Sequence, residues 1–127
     1  MNFEYTVTSP KSFDAAVRAV QDAVAAQSFR TLYVHDVQAT FAEKGVAREP
    51  YKIIEVCNVK YASQALVADA LVGLFMPCKI NVFTQKGETK ISLLLPSLLA
   101  EIFPNAKLDG MAREIETALR AVVDSAK

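Results

Sequence analysis

The chain has 127 residues, with 14 basic and 14 acidic side chains and a formal net charge of zero. This length predicts one domain over residues 1–127 that folds without disulfides or a metal. The balanced charge argues against a nucleic-acid partner and against an anionic membrane surface, and no apolar run is long enough to span a bilayer. The start of the chain lacks the pattern of a secretory signal, so we expect a cytoplasmic protein whose two cysteines stay reduced.

The first half of the chain alternates strand patterns with helix patterns. Apolar and polar residues alternate at 3–8, and apolar residues three or four apart then continue to about Gln27. Either Ser9, which precedes a proline, or Ser12 can cap this first helix. The remaining elements of this half are a strand at 31–35, a helix at 37–44 that ends at Gly45, and a strand from Tyr51 that ends at Asn58.

The second half contains a hairpin. Its predicted elements are a helix at 60–74, strands at 78–84 and 89–94, a short helix at 96–103 and a final helix from about 109 to 124. Gly73 and Pro77 end the first of these helices, and Gly87 suits the tight turn "QKGE" between the two strands. The order β-α-β-α-β-α-β-β-α-α predicts an α+β fold. We expect a two-layer sandwich in which helices pack on one face of a mostly antiparallel sheet.

The third strand ends in three residues whose side chains can do chemistry, within the stretch "YKIIEVCNVKY". Side chains alternate along a strand, so Glu55 and Cys57 are expected on the same face and Asn58 on the other. If the third and fourth strands are antiparallel neighbours, Cys57 comes near Cys78. If they are parallel, the two thiols lie at opposite ends of the sheet, where no disulfide can join them.

The two cysteines are the candidate catalytic groups, together with Glu55. A nucleophilic or redox pair of Cys57 and Cys78 needs a thiolate, which Lys60 or Lys79 would favour. The alternative is that both cysteines are small buried hydrophobic residues, as free cysteines often are. Glu55 in an apolar strand could act as a general acid or base, but pairing with a nearby lysine is the more common role of such a residue.

Other candidate sites have weaker support in the sequence. His35 is the only histidine, and neither a C-x-x-C nor an H-x-x-x-H spacing accompanies it, so we predict no metal site. Phe75 and Met76 could line a pocket for an apolar ligand, although packing in the core is the default role of such residues.

Two segments of the chain together resemble a known family. "PYKIIEVCN", the Ala-rich helix after it and "GLFMPCKINVF" are similar to family 302 of the domains of unknown function, which comprises small bacterial and archaeal proteins. The resemblance covers roughly residues 30–103. The positions that fall in the family pattern are Cys57, Asn58, Pro77 and Cys78, whereas Val59 stands where a proline is usual. The resemblance implies an α+β fold and a homodimer, and it implies no activity.

Two classes of function follow from these observations. The first is a dimeric binding module for a small molecule or a partner protein. Its candidate binding residues are Asn58, Lys60, Phe75, Met76 and Lys79. The second is a thiol-dependent redox enzyme or sensor that uses Cys57 and Cys78. We favour the binding module, because no complete catalytic set of residues can be assembled from the sequence.

Overall fold

The structure, a computed structural model, describes the whole chain from Met1 to Lys127. Its strands are β1 (Glu4–Ser9), β2 (Arg30–Asp36), β3 (Tyr51–Cys57), β4 (Cys78–Gln85) and β5 (Glu88–Leu94). Its α-helices are α1 (Phe13–Ala26), α2 (Val37–Ala42), α3 (Val59–Ala68), α4 (Ser97–Ile102) and α5 (Asp109–Ala126). Two 3-10 helices cover Ala70–Phe75 and Pro104–Ala106. The predicted α+β fold is therefore confirmed.

The five strands form one sheet in the order β1-β5-β4-β3-β2. All four neighbouring pairs are antiparallel, which makes the sheet wholly antiparallel. The first two strands in the sequence lie at the two edges, so the chain crosses the sheet between them, and α1 makes this crossing. The predicted hairpin of β4 and β5 is confirmed, and Gly87 in its tight turn has φ +80°. Neither strand of the hairpin is at an edge of the sheet.

The core lies between one face of this sheet and the helices α1 and α5. Alternate residues of the three central strands are fully buried there: Ile54, Val56, Ile80, Val82, Ile91 and Leu93. From α1, Val20 and Val24 pack into the same core, and from α5, Leu119 does so. These residues recur at helical spacing, so the apolar stripe predicted for each helix is the face that packs on the sheet.

The single helix predicted at 60–74 is wrong. The segment 60–74 forms two helices, because α3 ends at Ala68 and a 3-10 helix starts at Ala70. Asp69 separates them with an extended backbone (φ −163°), and its carboxylate accepts a hydrogen bond from the Leu71 amide at 2.9 Å. An aspartate side chain that bonds nearby backbone amides competes with the helix, and the Ala-rich sequence around it concealed this break.

The other boundaries differ from the predicted ones by one or two residues. Ser12, and not Ser9, caps α1, with its hydroxyl accepting from the Ala15 amide at 3.2 Å. Gly45 follows α2 with φ +74°, as predicted for a helix stop. The short 3-10 helix at Pro104–Ala106 was not predicted. None of the helices is both long enough and apolar enough to cross a membrane.

Candidate functional site

An apolar cavity lies where β3 ends and β4 begins, bounded by α3, the first 3-10 helix and α5. Sixteen residues line it, of which fourteen are hydrophobic. They are Phe29, Val56, Cys57, Asn58, Tyr61, Ala62, Ala65, Val72, Met76, Pro77, Cys78, Leu99, Leu108, Met111, Ala112 and Ile115. The cavity itself has a volume of about 40 Å³, and the figure reaches about 490 Å³ only when the open space at its mouth is included. The cavity is therefore small.

The pairing of β3 with β4 brings the two cysteines to this cavity. Val56 is the direct partner of Cys78 across the antiparallel pair, and Cys57 is the next residue. Such partners have α-carbons about 4.5–5.5 Å apart, so the two cysteines are close neighbours. Both are free thiols. The antiparallel alternative is therefore confirmed, and Cys57 and Cys78 line the same cavity.

The environment of the thiols opposes their ionisation. Burial raises the pKa of Cys57. Burial is also the main cause that raises the pKa of Cys78 to about 11; the nearby Cys57 raises it further and Lys79 lowers it. A thiol with such a pKa is almost wholly protonated at neutral pH, whereas the thiolate is the nucleophile. The cavity therefore holds Cys78 as an unreactive thiol.

Asn58 forms the corner between β3 and α3. Its carboxamide oxygen accepts hydrogen bonds from the amides of Lys60 at 3.0 Å and Tyr61 at 3.4 Å, which caps the N-terminus of α3. Its amide nitrogen donates to the Ser28 carbonyl at 3.1 Å, in the turn between α1 and β2. Asn58 fixes one rim of the cavity.

Aromatic and sulfur-containing side chains form much of the remaining wall. Phe29, which follows Ser28 in the same turn, stacks on Tyr61 with ring centroids 6.2 Å apart. Met111 of α5 packs against both the main core and a smaller core, and Met76 packs against the smaller one. That smaller core contains Ala65, Val72 and Leu108. The cavity thus lies between two packed clusters.

Four of the predicted site residues do not line the cavity. Glu55 lies opposite Lys79 in the register of β3 and β4. Strand alternation places this pair on the face away from the buried Val56. Cys57, at the end of β3, lines the cavity, whereas Glu55, two residues earlier in the strand, does not. Lys60 is exposed on the first turn of α3.

The fourth of these residues, Phe75, packs elsewhere. Its ring meets Phe103 edge to face, with centroids 5.8 Å apart, in the region between the first 3-10 helix and α4. The histidine is also separate from the thiols. His35 pairs with Ile53, four residues before Cys57 along β3, which corresponds to about 13 Å. Its ring bonds the Thr40 hydroxyl at 3.0 Å.

The sequence analysis did not identify most of the cavity wall. Met111 lies on the apolar stripe of α5, but helical spacing does not distinguish a residue in the core from one that faces a cavity. No pattern in the sequence marks Phe29 or Tyr61 as residues of a site. Of the predicted binding residues, Asn58 and Met76 line the cavity, as do both candidate cysteines.

Comparison with known proteins identifies the family. The model of DUF302, a domain of unknown function, matches residues 5–126. The chain belongs to the DUF302 family. The match extends well beyond residues 30–103, and it includes all of α1 and all of α5. No curated protein matches the chain.

A solved structure supports the same assignment. It is the crystal structure of an uncharacterized conserved DUF302 protein from Bacillus stearothermophilus, which is 30% identical in sequence. The two structures agree with a TM-score of 0.93 over 100% of each chain. The fold of this DUF302 chain is therefore that of a solved protein along its whole length.

Proposed function

We propose that this DUF302 protein is a binding module for a small, slender and mostly apolar molecule, held in the cavity between the β3–β4 end of the sheet and α5. The observation that carries the proposal is the lining: fourteen of the sixteen residues are hydrophobic, and the other two are Asn58 and Pro77. Ligand sites are typically apolar concavities of about 300–1,000 Å³ with few polar groups. The cavity itself, at about 40 Å³, is far smaller than that range, so a ligand of more than a few atoms has to displace lining side chains as it enters.

The small size of the cavity narrows the class of ligand. A volume of about 40 Å³ favours a thin alkyl or acyl chain over a bulkier ring system. No charged residue lines the cavity, so any polar end of the ligand belongs at the mouth. Lys60 is exposed and precedes the lining residue Tyr61 in α3. It is the cation that would bind a ligand carboxylate at the mouth of the cavity.

The thiol-dependent alternative receives no support from the site. Thiol chemistry at neutral pH requires a thiolate, and burial raises the pKa of both Cys57 and Cys78. The remaining candidate, Glu55, lies on the other face of the sheet beside Lys79 and cannot serve as a base at the cavity.

Isothermal titration calorimetry with octanoic acid and with 1-octanol tests the proposal. Ala62→Leu fills part of the cavity, and Ser63→Leu places the same side chain on the exposed side of the same helix. Loss of room for two methylene groups, at about 0.8 kcal/mol each, corresponds to about tenfold weaker binding. We expect that loss for Ala62→Leu and none for Ser63→Leu. Equal binding by both variants would contradict the proposal.

We also propose that the protein works as a homodimer. What supports this is an aliphatic patch on the outer side of the cavity wall, formed by Leu66, Val67, Leu71 and Leu74. Val67 is 86% exposed and Leu74 is 79% exposed. A β-carbon added at Gly73 would lie 3.4 Å from the end of the Leu66 side chain, so α3 and the 3-10 helix form one surface. Contiguous exposed apolar surface of this kind marks association sites.

A further inference from the structure

The alkyl ligand proposed above needs one wall of the cavity to move. The cavity has a volume of about 40 Å³, whereas ligand sites typically have about 300–1,000 Å³. Much of the wall is held in place: Val56, Val72 and Ala112 are each 2% exposed or less. Asn58 is fixed as well, by its three hydrogen bonds at the corner between β3 and α3. The movable part of the wall is therefore elsewhere.

Tyr61 separates the cavity from a second space, an open groove along α5. This groove has a volume of about 500 Å³. Its lining includes Gln27, just after α1, and Gly110, Thr117 and Ala121 of α5. Tyr61 is the one residue that lines both the cavity and the groove. Its side chain thus has the small apolar cavity on one side and wide open space on the other.

The ring of Tyr61 can change position without a change in the backbone. The residue is the third of α3, and its amide donates a hydrogen bond to the Asn58 carboxamide at 3.4 Å, which holds the main chain. Aromatic side chains in helices use two χ1 rotamers, near about 180° and −60°, so one rotation exchanges two allowed positions. The centroid distance of 6.2 Å to the Phe29 ring is towards the long end for aromatic pairs. This contact restrains the ring only weakly.

We propose that Tyr61 is the gate of the cavity, and that an entering alkyl chain displaces its ring into the groove along α5 and takes the space the ring leaves. The inference rests on the alkyl ligand proposed above and names the residue that selects it. The displaced ring still closes the cavity on the side of the groove. The opening therefore suits a thin chain, and Tyr61 excludes a carbon ring with the same number of carbon atoms.

Calorimetry with two alcohols of equal carbon number tests the gate: 1-octanol, which is a chain, and 2-cyclohexylethanol, which carries a ring. One methylene group of misfit in an apolar pocket changes binding by about 10–200-fold, so the wild type should bind 1-octanol at least about tenfold more tightly. Tyr61→Ala joins the cavity to the groove and should reduce this preference below about threefold. Tyr61→Phe keeps the ring, and Tyr33→Ala removes a tyrosine ring that is 61% exposed on β2. Both should keep the wild-type preference.

A second variant tests the gate and leaves Tyr61 intact. Thr117→Trp places a large ring in the groove from an exposed position on α5, so the Tyr61 ring loses the space into which it moves. This overpacking should weaken the binding of 1-octanol by about tenfold or more. Ser63→Trp, at an exposed position of α3 outside both spaces, should bind 1-octanol as the wild type does.

The gate and the alkyl ligand fail in different ways. Unchanged selectivity in Tyr61→Ala, or wild-type affinity for 1-octanol in Thr117→Trp, would overturn the gate and leave the alkyl ligand standing. If Tyr61→Ala does not fold, Thr117→Trp decides alone, because its substitution is at an exposed position. Failure of the wild type to bind 1-octanol would instead overturn the alkyl ligand, and the gate with it.

Discussion

Val56 and Cys78 are direct partners across the antiparallel strands β3 and β4, and this pairing sets the position of both thiols. Because Val56 is fully buried on the core face, its partner Cys78 is on that face too. Cys57 follows Val56 at the end of the strand, and it lines the same cavity. A shift of one residue in this register would turn Cys78 to the other face and separate the two.

The two cysteines should react slowly and at different rates. Burial raises the pKa of Cys78 to about 11, and it raises the pKa of Cys57 as well. Only the thiolate reacts with iodoacetamide, so alkylation of Cys78 should increase about tenfold per pH unit from neutral pH upward. Peptide mass spectrometry at several pH values measures both rates. We expect Cys57 to react first, and rapid alkylation of Cys78 at neutral pH would instead indicate an activated thiol.

Asn58 should contribute to stability through both ends of its carboxamide. Asn58→Ala removes the cap of α3 and the bond to the Ser28 carbonyl, which together correspond to about 1–3 kcal/mol in the free energy of unfolding. Asn58→Asp keeps the acceptor for the Lys60 amide and loses the donor to Ser28. Urea unfolding should therefore rank the wild type above the aspartate variant and the aspartate variant above the alanine variant. Equal stability of all three would show that the corner does not depend on Asn58.

The sequence predicts local structure here better than it predicts the site. Alternation in β3 and in the β4–β5 hairpin, and helical spacing in α1 and α5, determine the fold because each pattern allows only one face to be buried. The cavity depends on contacts between residues far apart in sequence, such as Phe29 with Tyr61, and Met76 and Met111 with the smaller core. Strand periodicity also placed Glu55 and Cys57 on one face of β3, and it could not show that only Cys57 lines a cavity.

Glu116 should make stability depend on pH in the acidic range. Burial by itself raises the pKa of this carboxyl, but hydrogen bonds from Ser97 and Arg120 outweigh it and leave the pKa lowered. A lowered pKa in the folded state means that ionised Glu116 stabilises the protein at neutral pH. This contribution is lost as the pH falls from the unfolded pKa through the folded one.

The variant that tests this pH dependence is Glu116→Gln. It removes the charge and keeps an acceptor for the Ser97 amide, 3.1 Å away. Because the group is partly exposed to solvent, the effect should stay below about 1 kcal/mol at pH 7 and vanish in acid. Denaturant unfolding at several pH values gives this comparison. A constant difference between the two proteins at every pH would contradict the role assigned to the charge.

The aliphatic patch should control the oligomeric state. Leu74→Lys introduces a charge at a residue that is 79% exposed and should convert the proposed dimer to a monomer in light scattering. Val46, which is 51% exposed after α2 and outside the patch, provides the control Val46→Lys. A monomeric wild-type protein, or a Leu74→Lys variant that remains dimeric, would exclude this surface as the contact.

The most direct test of the account is native mass spectrometry of the protein after incubation with octanoic acid. The cavity predicts one bound alkyl molecule per chain, present in the wild type and in Ser63→Leu and strongly reduced in Ala62→Leu. Absence of any adduct in the wild type, or equal adducts in all three proteins, would contradict binding at this cavity.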